Sequence, residues 1–198
     1  MPMPYALVWS RHDLRLDDNP ALRAALDEGY TPVPVYIRAP QEEGEWAPGG
    51  ASDAWLHRSL EALDAVLRAR GSHLVLRRGA SAAVLDALLE ETGAEAVFWN
   101  RKYEAATQPR DAALKKTLRE RGLRVESFNG SLLFEPWDLA TQQGGPYKVF
   151  TPFWRSALAQ WRAPATWDAP GTFPTLDAAL AGESLDAWRL TPTLGWDT

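Results

Sequence analysis

Apolar positions along this chain alternate between two textures. Short, nearly continuous apolar runs such as Tyr5-Ala6-Leu7-Val8 give way to stretches where apolar residues recur every three or four positions. The first texture predicts buried strands and the second amphipathic helices. Strand one is predicted at Tyr5–Ser10. Helix one starts at Pro20, after the N-cap candidate Asn19, and ends near Gly29, with Leu22, Ala25 and Leu26 on one face. Strand two covers about Thr31–Ile37, where Pro32 and Pro34 suit a strand start. A loop with Pro40, Gly44, Pro48, Gly49 and Gly50 follows. Ser52 is expected to cap helix two, in which Leu56, Leu60, Leu63 and Leu67 keep helical spacing until Gly71. Strand three is His73–Arg77. Ser81 is expected to cap helix three, with Val84, Leu85, Leu88 and Leu89 inward and Gly93 at its end. Strand four is Ala96–Asn100, helix four runs roughly from Pro109 to Arg121, and strand five is Arg124–Phe128.

This alternation predicts an α/β fold: a doubly wound, Rossmann-like, five-stranded parallel sheet of order 3-2-1-4-5 with helices on both faces. The order reverses between strands one and four, so the loops Ser10–Asn19 and Asn100–Gln108 flank one crevice, where open sheets bind ligands. They are also the most polar and unusual loops in the sequence. After Gly130 the pattern changes. Residues 130–150 read as loop and Thr151–Trp161 as one helix; from Arg162 onward Pro, Gly, Thr and Trp interleave without period. The chain therefore divides into an α/β domain, 1–130, and a trailing loop, helix and irregular C-terminal linker, 131–198, that ends near Gly195 and Trp196.

Composition narrows the function classes. The 198 residues are 45% hydrophobic and 24% charged, which fits a globular domain. A net charge of −5 argues against nucleic-acid binding by the chain as a whole, though not by a local patch. With no Cys there are no disulfides, thiolate chemistry or Cys-based metal sites, which fits a cytoplasmic protein. No apolar run approaches the roughly 20 residues of a membrane span, and no signal peptide is read, so no membrane partner is expected. The ten Trp residues are expected to fill cores and interfaces; the alternative is a light-driven electron-transfer chain.

Neither G-x-G-x-x-G nor a P-loop follows strand one, which argues against a standard dinucleotide or ATP-hydrolysing site and against an adenosine-binding module. The strand-one loop instead offers Arg11, His12 and Arg15 with Asp13, Asp17 and Asp18. A planar Arg fork clamps anionic or carbonyl groups, and Arg11, nearest the strand end, is the first candidate for ligand contact. Asp13 and Arg15 serve equally well to stiffen the loop. In the second loop, Asn100, Arg101, Lys102 and Glu104 place donors and one acceptor where they can read the edge of a planar ring; the alternative is a solvated charge cluster. His12, His57 and His73 lack metal-ligand spacing, and no catalytic triad or carboxylate pair emerges, so no metal or catalytic residue is assigned.

Four blocks in order resemble the DNA photolyase and cryptochrome family: WSRHDLRLDDNPAL from Trp9, GGASDAWLHRSL from Gly49, WNRKYEAATQPRD from Trp99 and GGPYKVFTPFWR from Gly144. The resemblance covers the family's N-terminal half, an α/β antenna domain. It implies that catalytic FAD, the damaged DNA and the photoreducing Trp residues belong to a separate helical domain, so this chain alone is not expected to act as a deoxyribodipyrimidine photo-lyase. Family antennas are a folate, a deazaflavin or a flavin such as FMN. In folate-type members an Asn-Glu pair follows the Tyr-Glu of the strand-four loop; here those positions are Ala106 and Thr107. Folate also sits between the two domains, whereas deazaflavin and flavin lie in the crevice. The contacts that the resemblance carries over are Arg11, His12, Ile37, Arg38, Ser52, Asn100, Lys102 and Glu104. Some deazaflavin members have Arg at the position of Ser52 and an acid at that of Lys102, which leaves FMN favoured. Arg11 and Lys102 are then expected to hold phosphate or ring carbonyls, and Glu104 to accept from a ring N–H. The rivals are a chromophore-free scaffold docking onto the FAD domain through Phe150, Phe153, Trp154 and the Trp-rich tail, and a cryptochrome-type photoreceptor domain.

Overall fold

The apolar runs build one parallel sheet. In the computed structural model, which describes residues 3–177 and 179–193, the strands are β1 (Tyr5–Ser10), β2 (Thr31–Arg38), β3 (Val75–Arg78), β4 (Ala96–Asn100) and β5 (Arg124–Phe128). Their order is β3-β2-β1-β4-β5, and every neighbouring pair is parallel. The crossovers are α1 (Pro20–Asp27), α2 (Gly50–Arg68), α3 (Ser81–Thr92) and α4 (Thr107–Glu120). The doubly wound order expected from the alternation is the observed one.

The strand period of two divides β1 between two cores. Leu7 and Trp9 point to the layer that holds Leu85, Leu88 and Leu118 from α3 and α4. Ala6 and Val8 point to the layer that holds Leu22, Leu60 and Leu67 from α1 and α2. Burial on both faces is why the strands read as continuous apolar runs.

Helix starts differ from expectation in instructive ways. At α1 the Asn19 side chain accepts from the Leu22 N–H at 3.2 Å, as expected for an N-cap. Helix α2 instead begins at Gly50, so Ser52 lies inside it and caps nothing. Ser81 is the first residue of α3 rather than its cap. Its N–H and Oγ both donate to the carboxylate of Glu42, at 2.6 Å each. Glu42 belongs to a 3₁₀ segment, Pro40–Trp46, in the region expected to be loop. A carboxylate brought from that distance satisfies an orphan N–H and complements the helix dipole.

Beyond β5, helix α5 (Phe150–Gln160) buries only Ala157 and leaves Phe150, Trp154 and Leu158 exposed. The segment after it returns to the sheet. Leu176 and Leu180 join one core, and Phe173, Trp188 and Leu190 join the other. The Glu183 N–H donates to the Leu76 carbonyl at 2.8 Å, and the Arg78 N–H to the Glu183 carboxylate at 2.8 Å, which covers the free edge of β3. Gly182 permits that approach: a Cβ there would stand 3.2 Å from Leu76 Cα. Residues 194–198, including Gly195 and Trp196 at the end of the expected linker, lie outside the described residues. No helix among the described residues is long and apolar enough to cross a membrane.

Candidate functional site

Two loops meet where the strand order reverses, and a buried polar knot joins them. The Asn100 side chain, at the end of β4, donates to Asp13 at 2.7 Å and to Asn19 at 2.9 Å, and accepts from the Ala21 N–H at 3.2 Å. Asp13 also accepts from the Arg11 N–H at 2.9 Å. The Arg15 side chain does not pair with the Asp13 carboxylate; it donates to the carbonyls of Asp18 and Gly130, at 2.9 and 2.8 Å. Gly130 has to be glycine, because a Cβ there would lie 2.7 Å from Asn100 Cγ. Both Asp13 and Arg15 thus stiffen the loop.

Arg11 closes the knot. Its guanidinium donates to the Asp111 carboxylate on α4 and to the Asn100 carbonyl, and its side chain is 5% exposed. Burial pulls its pKa down and Asp111 opposes that pull.

In front of the knot, across the carboxyl ends of β1, β2 and β4, lies a cleft of about 750 Å³. That volume suits a small organic ligand. Arg11, His12, Ile37, Arg38, Lys102 and Glu104 all line it. Ser52 does not; it lines a neighbouring lobe of about 940 Å³ along α2, which shares Arg11, His12, Tyr36 and Leu56 with the cleft. Asn100 is turned into the knot and borders only a smaller hollow of about 320 Å³ between the two loops.

The cleft also takes in residues that the sequence did not single out: Trp9, Tyr36, Glu43, Trp46 and Arg110. Trp9 and Ile37 share a face by strand alternation, a signal available in the pattern. Burial pushes the Tyr36 phenol up to about 12. Partial desolvation at the cleft lip lowers the His12 pKa, and Lys102 adds to that. At Glu104 burial acts upward but is outweighed by the residue's own backbone N–H and by Lys102, so the carboxyl sits below its ordinary value.

Each cleft cation has a carboxylate partner. Lys102 Nζ donates to Glu43 at 2.6 Å, Arg38 forks onto Asp53 at 2.9 and 3.1 Å, and Arg110 contacts Glu42 at 2.7 Å and Asp111 at 2.6 Å. The cleft is therefore close to charge-balanced. Two buried donors beside it, Trp9 Nε1 and Arg11 Nε, have no hydrogen-bond partner among the described residues. Buried donors ordinarily find one. The arrangement is suited to a flat, polar-edged ring. Among the described residues no group of His, Asp and Glu could hold a metal ion.

The sequence pattern of the DNA photolyase family matches residues 6–171. A deoxyribodipyrimidine photo-lyase of Agrobacterium fabrum is 45% identical over 94% of this chain, and the chain spans 38% of that protein's length. Cryptochrome-2 of Arabidopsis thaliana is 43% identical over 77% of this chain, which corresponds to 25% of its own length. The crystal structure of a bacterial class III photolyase from Agrobacterium tumefaciens superposes with a TM-score of 0.89 at 43% identity, covering 98% of this chain and 39% of that one. The matched residues, the parallel sheet of order 3-2-1-4-5 and the cleft at its switch point establish together that this chain belongs to the DNA photolyase family, as its N-terminal α/β domain.

Proposed function

We propose that this domain is a light-harvesting antenna: it holds a flavin-type chromophore in the cleft and passes excitation to FAD in a helical domain that repairs pyrimidine dimers in DNA. The observation that carries this reading is the cleft itself, with aromatic and aliphatic walls and balanced charge. Trp9, Tyr36 and Ile37 line the cleft and give a planar ring an apolar wall. Glu104, held ionised, is the acceptor for a ring N–H. An anionic tail reaches Lys102 only by exchanging with Glu43, and reaches Arg38 only by exchanging with Asp53. The chromophore, when bound, supplies absorption of blue light; the protein orients it and excludes water. In this reading residues 1–130 carry the antenna cleft, and 131–198, whose Phe173, Leu176, Leu180, Trp188 and Leu190 pack on the same sheet, lead on to the helical domain. The exposed Phe150, Trp154 and Leu158 of α5 support docking there.

The test is retention. The purified chain is incubated separately with FMN, a deazaflavin and a methenyl-folate, desalted, and its absorption recorded. A retained and shifted FMN band is the expected result. Retention of the folate or the deazaflavin alone overturns the choice of chromophore but leaves the antenna. Retention of none overturns the antenna and favours a scaffold that docks without a chromophore.

A further inference from the structure

An antenna works only if its excited state outlives the transfer, and an electron-rich indole against the chromophore shortens that life. Excited heteroaromatic rings are strong oxidants. One electron leaves the indole and reduces the ring, and recombination returns it with the excitation lost as heat. Trp9 forms the cleft wall, so on the antenna reading it is a built-in quencher. Its surroundings oppose that role in three independent ways.

The first is charge. The Arg11 guanidinium carbon lies 4.8 Å from the Trp9 ring centroid and that of Arg110 lies 5.4 Å from it. Cations over a π face are attracted to the neutral ring and repelled by the positive charge that oxidation creates. The carboxylates of Asp111 and Glu42, bonded to the guanidinium N–H groups, offset part of this field. The second is solvation. Trp9 is 2% exposed, so a new positive charge on the ring gains little from water. The third is the proton. An oxidised indole is strongly acidic and is stabilised by giving its N–H proton to an acceptor. Trp9 Nε1 is buried and has no partner among the described residues. Passing the charge on does not help: Trp99, at 5.9 Å and 65° to Trp9, is 1% exposed in the same core.

We propose that Arg11 and Arg110 hold Trp9 against one-electron oxidation, so that the cleft wall packs against an excited chromophore without quenching it. This rests on the antenna reading. It makes Arg110 a tuning residue for excited-state lifetime rather than for affinity.

The experiment is the fluorescence lifetime of FMN bound to the full chain in a double-mutant cycle of Trp9→Phe and Arg110→Gln, with Arg110→Lys beside it. Arg110→Gln leaves both carboxylates in place and removes one cation. The electron-transfer rate from Trp9 is expected to rise about fivefold, the rate equivalent of about 1 kcal/mol in the barrier, and the lifetime to shorten accordingly. Arg110→Lys is expected to restore most of it, and in the Trp9→Phe background Arg110→Gln is expected to change nothing. Trp46 lines the same cleft but is 80% exposed, and it is common to every member of the cycle. An unchanged lifetime in Arg110→Gln, or a shortening that persists without Trp9, overturns the inference alone. So does a marked lengthening in Trp9→Phe by itself, which shows that Trp9 already quenches and which does not depend on how the Arg110 variant folds. A parent chain that retains none of the three chromophores overturns the reading of the cleft, and this inference with it; where a deazaflavin or a folate is retained in place of FMN, the same cycle is read on that chromophore.

Discussion

A chain ended after Gly171 is expected to lose cooperative unfolding altogether. The removed segment supplies Phe173, Leu176, Leu180, Trp188 and Leu190, all of them buried and divided between the cores on the two faces of the sheet. Fully burying one large apolar side chain is worth about 1.5–3 kcal/mol, so five of them amount to on the order of 10 kcal/mol. A domain of this size has a net stability of about 5–15 kcal/mol. Deletion also strips the edge of β3, where the Leu76 carbonyl and the Arg78 N–H bond to Glu183. An uncovered edge strand invites pairing with other chains. The shortened chain should bind apolar dyes, aggregate and show a broad, shallow thermal transition by circular dichroism. A sharp transition with the midpoint of the full chain would show that the segment lies on the domain without stabilising it.

Asp111→Ala is expected to cost about 3–5 kcal/mol, the range for removing one partner of a buried ion pair. Arg11 then keeps only the Asn100 carbonyl, inside a site where its side chain is 5% exposed. Burial already lowers the Arg11 pKa, and Asp111 is the main group acting the other way. Arg110 loses the same carboxylate, but it retains Glu42 and lies nearer the surface. Asp111→Asn keeps an acceptor without the charge and should cost less than Ala. Urea denaturation of the three chains reads the difference as a shift in midpoint. A loss below about 1 kcal/mol, typical of an exposed pair, would contradict the account of the knot.

The sheet was legible in the sequence because a strand buried on both faces leaves an unmistakable run, as in Ala6-Leu7-Val8, and because α/β alternation admits few topologies. The meeting of the two polar loops followed from the switch point between β1 and β4. What local spacing does not carry is which polar groups face a ligand and which face one another. Asn100 looks like a ligand donor in the string, yet its partners, Asp13 and Asn19, come from a loop more than 80 residues earlier. Helix caps show the same limit. Asn19 caps α1 by a local rule, whereas the start of α3 is satisfied by Glu42, 39 residues away. The segment after α5 has no period to detect, since an irregular chain buries its apolar residues one at a time. Trp9 was legible as a strand residue; its place beneath two guanidinium groups was not, because Arg110 reaches it from α4.

Diffraction from crystals of the chain grown with FMN tests whether the cleft at the switch point is the chromophore site. Ring density is expected against Trp9, Tyr36 and Ile37, with an edge within hydrogen-bond reach of Glu104. Density confined to the lobe along α2, or a cleft that stays free of flavin at saturating FMN, would contradict this assignment.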